Sequence, residues 1–278
     1  MSNSQCFKIF DLSGRIFVIT GGGGLLGAQH ANAIAKAGGI PVLIDINEIS
    51  VNKTAAKIRA EYNVPAMGIV SDITDETVVT QLREKLLNQY GHIDGLINNA
   101  SNNPKMEPGS NVNFSRLENF SLAQWEADIA VGLTGAFICS KIFGTEMAKR
   151  KKGVIINIAS DLALIAPDQR IYQQSNLSDE LQPVKPVTYS VVKTALIGLT
   201  RYLATYWAEA NVRVNAISPG GIYNEQPDDF VKKLSNLIPM GRMAAIDEYE
   251  GAITFLCSDA SSYMTGANLV IDGGRSCW

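Results

Sequence analysis

The chain is poor in histidine and cysteine: its 278 residues hold two histidines, His30 and His92, and four cysteines, Cys6, Cys139, Cys257 and Cys277. No CxxC pair occurs and the histidines lie far apart, so neither a metal site nor a disulfide framework is expected. Charge of one sign is also missing, since 24 Lys+Arg stand against 27 Asp+Glu for a net charge of −3. A nucleic-acid surface needs clustered positive charge, so no nucleic-acid partner is expected. No apolar run reaches the roughly 18 residues of a membrane span. The opening residues, MSNSQCFKIFDLSGR, lack the basic-then-apolar order of a secretory signal. A cytoplasmic protein with no membrane partner is therefore the expectation. Internal repeats and low-complexity linkers are absent too. The basic run 149–152 ends a helical pattern just before Gly153, where cations suit the negative end of a helix dipole.

What is present is alternation. Short apolar runs rich in β-branched residues fall at 16–20, 40–45, 66–71, 93–98, 154–160, 212–218 and 268–271. Between them, helical patterns cover 24–37, 49–62, 75–90, 122–149, 187–206 and 247–258. Continuous apolar strands separated by helices predict a parallel sheet covered on both faces. The expected fold is α/β: a single-domain Rossmann fold over 1–278, with a doubly wound seven-stranded parallel sheet and helices on both faces. Two long, polar, turn-rich segments, 101–121 and 161–186, interrupt the alternation, and loops of that length are usually functional or disordered. The second is expected to border the active site.

Residues 18–27 read VITGGGGLLG, a strand running through glycines into a helix. That arrangement turns backbone N–H groups toward a pyrophosphate at the positive end of the helix dipole, and Gly21, Gly24 and Gly27 leave room for its approach. Asp45 closes the second strand in VLIDIN, 18 residues beyond Gly27. A carboxylate there accepts hydrogen bonds from ribose hydroxyls and repels a 2′-phosphate, and neither Ile46 nor Asn47 supplies an arginine to welcome one. NAD is favoured over NADP.

Downstream, KPVTYSVVKTALIGLT sets Tyr189 and Lys193 four residues apart, on one face of a predicted helix. A cation beside the phenol, joined by the charge of an oxidised nicotinamide, is expected to bring the tyrosine pKa down from about 10. The fifth strand ends in NIAS, which puts Ser160 at the carboxyl edge where open α/β sheets hold ligands.

Taken together these motifs resemble the classical short-chain dehydrogenase/reductase family over nearly the whole chain. TGGGGLLG resembles its cofactor loop, with Gly21, Gly24, Leu26 and Gly27 at the pyrophosphate. Asp45 and Ile46 would face the adenosine ribose, and in SDIT Asp72 and Ile73 would meet the adenine. INNA, with Asn99 and Ala100, resembles the family's N-N-A-G, and ISPGGI resembles the segment beside the nicotinamide, which implies cofactor contacts from Pro219, Gly220, Ile222 and Asn224. YMTGANLVIDGG resembles the family's last strand. The resemblance implies hydride transfer between C4 of the nicotinamide and a substrate carbon. Ser160 would polarise the substrate oxygen, Tyr189 would give or take its proton, and Lys193 would hold the nicotinamide ribose.

Three departures bear on that reading. Leu25 stands at the second glycine of T-G-x-x-x-G-x-G, whereas T-G-x-x-G-x-x-G fits the loop and matches the extended, sugar-nucleotide-modifying branch. A sugar-nucleotide epimerase or dehydratase with retained NAD is thus an alternative. Val131-Gly132-Leu133 replaces V-N-L, so the asparagine that positions a water beside the lysine is missing, and a water or another side chain is expected in its place. A catalytically weak, NAD-binding regulatory protein is the third reading. Ser101 replaces the glycine of N-N-A-G.

The long interval between Ser160 and Tyr189 is rich in donors and acceptors. Expected substrate contacts are Ser160, Tyr189, Asn102, Arg170 and Tyr223, with Asn103, Lys105 and Asn111 adding polarity at the mouth. Such a site suits a small, polar, polyhydroxylated substrate. The glycine loop, the enlarged loops and the ending DGGRSCW resemble the subgroup named for flagellin modification, which implies bacterial surface-sugar synthesis. The family also implies a homo-oligomer, a tetramer or dimer, with helices 122–149 and 187–206 crossing a two-fold axis. Ile197, Leu199, Leu203 and Trp207 suit either that interface or the domain core.

Overall fold

In the computed structural model, which describes residues 8–102 and 113–278, the seven apolar runs pair as one parallel sheet. The strands are β1 (Ile16–Thr20), β2 (Ile40–Asp45), β3 (Met67–Val70), β4 (Gly95–Asn98), β5 (Gly153–Ile158), β6 (Val212–Pro219) and β7 (Asn268–Ile271), in the order β3-β2-β1-β4-β5-β6-β7. Every residue of β1 and β4 is buried, the signature of strands covered on both faces. Because successive side chains point to opposite faces, Phe17 and Ile19 enter one core while Ile16 and Val18 enter the other.

The first core lies under α1 (Leu25–Lys36), α2 (Glu48–Tyr62) and a helix at Glu250–Cys257, through Ile34, Val51, Ile58 and Ile253. The second lies under α3 (Glu76–Tyr90), the helices of 122–149 and α6 (Val187–Tyr206), through Val79, Leu86, Phe143, Leu203 and Trp207. Side-chain caps open three helices: Asn47 accepts from Ser50 N, Asp75 from Thr77 N and Val78 N, and Ser121 from Gln124 N.

Three differences from the sequence expectation follow from packing. The stretch Leu122–Lys149 is long and apolar enough to cross a membrane by length and composition alone, although no single apolar run suggested it. It is a core element of the sheet's second face, broken into α4 (Leu122–Ile129), a π turn (Ala130–Thr134) and α5 (Gly135–Lys149). A further helix, α7 (Asp228–Ser235), forms in a stretch assigned no element, and α8 is then Glu250–Cys257. Finally, of the two places left open for Ile197, Leu199, Leu203 and Trp207, the core holds Ile197, Leu203 and Trp207 buried and Leu199 partly buried against it, whereas Val191, Tyr202 and Tyr206 are the large apolar side chains that α6 exposes.

Candidate active site

Strand order reverses on either side of β1 and β4, since β1 connects outward to β2 and β3 while β4 leads the other way to β5, β6 and β7. The loops leaving the carboxyl ends of β1 and β4 therefore diverge and leave a crevice. A cavity of about 610 Å³ opens there, lined by Gly21, Gly24, Leu25, Leu26, Asp45, Asn99, Ala100, Asn102, Tyr189 and Lys193 among others. A second, of about 420 Å³, shares Gly21, Asp45 and Ala100 with it and adds Ile46, Asp72 and Ile73. The two form one continuous groove along the strand ends.

The loop leaving β1 is shaped by its glycines. Gly21 has φ of +64°, and a Cβ there would sit 2.9 Å from Ala100 Cα. Thr20 Oγ1 accepts from the backbone N–H groups of Asn99 and Ala100, and the Asn99 amide donates to the carbonyls of Thr20 and Gly21. Asp45 accepts from Gly23 N through one oxygen and from Asn47 N through the other, each at 3.0 Å. Asp72 accepts from both the backbone and the hydroxyl of Thr74.

α1 opens on a residue with no side chain to cap it, Gly24, and it shares the lack of a side-chain cap with α5, α6, α7 and α8. Its first-turn N–H groups accordingly have no side-chain acceptor, and Leu25 and Leu26 of that turn line the cavity. An uncapped helix start at a cavity wall fits an anionic pyrophosphate. The residues suited to hold a dinucleotide are thus Gly21, Gly24 and Leu26 at the phosphates, with Asp45, Ile46, Asp72 and Ile73 along the outer groove; Gly27, also named from sequence, lines neither cavity and is buried where a Cβ would collide with Gly21 O.

Ser160 stands just past β5, buried beside Tyr189 and outside the lining of the cavity, with its hydroxyl donating to Asp161 Oδ1 at 2.8 Å and accepting from Leu162 N. Tyr189 and Lys193 lie one turn apart on α6, with Lys193 Nζ 5.8 Å from the Tyr189 ring centre. The Lys193 ammonium is buried and donates to Ile158 O at 2.7 Å. Burial pushes its pKa down to about 8, helped by the charge of Lys185. The Tyr189 phenol corrects an expectation: it is raised, because burial disfavours the phenolate more than the nearby Ser160 hydroxyl favours it. His30 on α1 is buried, and the loss of hydration holds its imidazole down at about 4, so it is a neutral core residue.

Four features surround these groups, of which only Gly132 was named from the sequence. Asp161 is buried and pairs with buried Arg275 at 2.8 Å, tying the strand end that carries Ser160 to the C-terminal turn. Asp128 of α4, also buried, accepts from Asn102, Gln124 and Thr188. Lys185 lies over the Tyr189 ring, its Nζ 3.6 Å from the centroid. Lastly, Gly132 in the π turn faces α6 so closely that a Cβ would lie 2.6 Å from Val192 Cγ1. The space expected to hold a water or a reaching side chain is filled by that valine. Gly132 was visible in the sequence as the departure from V-N-L, and Lys185 sits four residues before Tyr189 in a loop already singled out; the Asp161 and Asp128 contacts left no such signal.

Several residues named from sequence are not brought to the cavity wall. Arg170 is an exposed side chain whose guanidinium grips Asp168 two residues away, holding that carboxylate down at about 2. Tyr223 and Asn224 are exposed, because their segment hydrogen-bonds to its neighbours: Tyr223 N to Ala244 O and Asn224 N to Gln226 Oε1. Ile222 bridges to Ala244 and packs on the first core, while Gly220 lines a separate cavity of about 110 Å³ and Pro219 ends β6 within the sheet. Asn103, Lys105 and Asn111 lie outside the described residues.

Comparison with known proteins gives the same picture from another direction. A family model described as Enoyl-(Acyl carrier protein) reductase matches residues 24–276. The chain is 31% identical to the D-threitol dehydrogenase of Mycolicibacterium smegmatis over 95% of its own length and 94% of that protein's. It is likewise 31% identical to the NAD-dependent glycerol dehydrogenase of Listeria innocua, covering 96% of each chain. Among solved structures, a gluconate 5-dehydrogenase from Burkholderia cenocepacia in complex with NADP and tartrate superposes with a TM-score of 0.84 at 28% identity, over 98% of this chain and 99% of that one.

Proposed function

The chain belongs to the classical short-chain dehydrogenase/reductase family and is an oxidoreductase acting on CH–OH groups; from that premise we propose that it uses NAD to interconvert a hydroxyl and a keto carbon on a small, sugar-like polyol. The observation that carries this is the meeting of Tyr189 and Lys193 with the uncapped start of α1 around one cavity at the sheet's switch point, with the Ser160 hydroxyl beside Tyr189. NAD supplies the hydride acceptor or donor at its nicotinamide. The chain's own residues handle the proton and the geometry.

In the oxidising direction Tyr189 takes the proton of the substrate hydroxyl, and in the reducing direction it returns it. Ser160 fixes the substrate oxygen beside that phenol. Lys193, held by Ile158 O, presents a buried amine to the nicotinamide ribose and to the tyrosine. NAD over NADP is supported by Asp45: a carboxylate on the groove wall repels a 2′-phosphate. Relatives of both preferences exist, the glycerol dehydrogenase being NAD-dependent and the gluconate 5-dehydrogenase having NADP bound.

The polyol reading is supported by relatives named for threitol and glycerol and by the polar wall of Asn102, Ser115 and Thr188. We place residues 1–278 in one catalytic unit, with 161–186 as an active-site loop. Assembly as a homo-oligomer, tetramer or dimer, is supported by the exposed stacked pair Tyr202 and Tyr206 on α6 and by Phe137 on α5. A cytoplasmic role in bacterial surface or flagellin glycan synthesis is the setting proposed, on the strength of the loop and C-terminal motifs alone.

The test is NAD reduction with a panel of polyols, sugars and amino sugars, repeated with NADP and with Tyr189→Phe. Turnover with NAD that disappears in the variant, while NADH binding persists, is the expected outcome. Tightly retained NAD without net turnover would instead favour the epimerase or dehydratase chemistry.

A further inference from the structure

The two polar segments flagged in the sequence knit into one wall. Asn113 N donates to Glu180 O, Arg116 Nη1 to Asp179 O, and Val184 N to the Ser115 hydroxyl at 3.0 Å. The face turned to the 610 Å³ cavity consists of Asn113, Phe114, Ser115, Pro183, Val184 and Lys185. Lys185 is the cation in that wall, and its backbone is fixed by a hydrogen bond from its N–H to Gln169 Oε1.

The ammonium of Lys185 has no hydrogen-bonding or ion-pair partner among the described residues; it rests on the π face of Tyr189. The carboxylates around it are committed elsewhere. Asp161 pairs with Arg275 and also accepts from Ser160 and from Leu162 N, so it reaches Lys185 by its field and not by a direct bond. Asp128, across the cavity, accepts from Asn102 and Gln124 at one oxygen and from Thr188 at the other. A cation–π contact is worth about 0.5–2 kcal/mol, too little to offset the burial of an ammonium. The cost shows in its pKa, pushed down to about 8 mainly by burial, against the opposing attraction of Asp161 and with a smaller push from Arg275. A partly buried cation at a cavity wall, without an ion-pair partner among the described residues, is a site for an external anion.

We propose that Lys185 is a specificity-determining residue that binds a carboxylate of the substrate, so that the enzyme acts on a hydroxy acid of the sugar-acid type in preference to the uncharged polyol. This rests on the dehydrogenase reading for the site's location. The placement of Nζ directly over the ring that carries the reacting phenol brings the anionic end close to the carbon oxidised or reduced. Val184 and Pro183 beside it would cover the substrate's carbon chain, and Ser115 and Asn102 offer hydrogen bonds to its hydroxyls.

The experiment compares matched pairs, each a four- to six-carbon alditol and the corresponding aldonate. Binding to the enzyme–NADH complex is followed by NADH fluorescence, and turnover by NAD reduction, in the wild type, Lys185→Met and Lys185→Arg. We expect at least one aldonate to bind on the order of tenfold more tightly than its alditol, the preference vanishing in the methionine variant and surviving in the arginine one. Equal binding within every pair, or a preference that persists without the cation, overturns the proposal. So does a methionine variant that slows both members of a pair alike, for then the cation acts on Tyr189 and not on the substrate. The two readings fail separately: an aldonate preference in binding without hydride transfer sinks the dehydrogenase mechanism, and alditol turnover without the preference sinks the anion site.

Discussion

Restoring the family's asparagine at position 132 should damage this protein, and the structure says by how much. Gly132 has no left-handed backbone, so Gly132→Asn incurs no φ penalty; what it meets is Val192 Cγ1, 2.6 Å from the new Cβ. Valine in a helix has essentially one χ1 rotamer, and Val192 is buried against Ala136 and Leu196, so it cannot turn aside. Overpacking of this kind costs about 1–3 kcal/mol, and a buried amide left without a partner adds about 1–3 kcal/mol. We expect Gly132→Asn to lose about 2–6 kcal/mol, lowering Tm by on the order of 5–15 °C. Val192→Ala opens the space. The double variant should therefore be less destabilised than the two single changes added together, by at least about 1 kcal/mol. Thermal and urea unfolding of the four proteins read the cycle, with NADH fluorescence reporting whether the groove survives. A Gly132→Asn protein with an unchanged melting point would refute the claim that α4 and α6 are packed around a missing side chain.

Further outcomes follow from the same structure. Arg275→Ala leaves Asp161 buried and unpaired, so urea unfolding should show a loss of about 3–5 kcal/mol, with a smaller loss for Arg275→Lys; a loss under about 1 kcal/mol would mean the pair is solvated. Lys193 has a pKa near 8 in the fold against about 10.5 unfolded. Below pH 8 both states hold the proton and the burial penalty is fully present, whereas between about pH 8 and 10 the folded state releases a proton that the unfolded chain keeps. Stability should therefore gain up to about 3 kcal/mol from this group across that window, and Lys193→Met should lose that rising limb; parallel pH profiles for the two proteins would contradict it. Tyr189→Phe should abolish turnover and leave NADH binding intact.

Local pattern carried the fold a long way. Strand and helix positions report themselves through side-chain periodicity, because burial on one face recurs every two or 3.6 residues whatever the rest of the chain does. The glycine loop, Ser160 at a strand end and the Tyr189 and Lys193 pair are legible for the same reason, each being set by its own strand, turn or helical spacing. The break at 130–134 was not, since a π turn leaves the apolar pattern of 122–149 nearly unchanged. Arg170 and Tyr223 misled because polarity in a loop says nothing about direction: Arg170 spends its charge on Asp168, and Tyr223 is tethered toward Ala244.

What only the tertiary structure decided are the contacts between distant segments. Asp161 finds Arg275 across 114 positions, Asp128 finds Thr188 across 60, and Gly132 meets Val192 because of where α4 and α6 cross. No local period encodes such pairs. They are fixed by the sheet order and by the angle at which helices pack on it, and that geometry determines which charges find an ion pair and which, like Lys185, rest on a ring face instead.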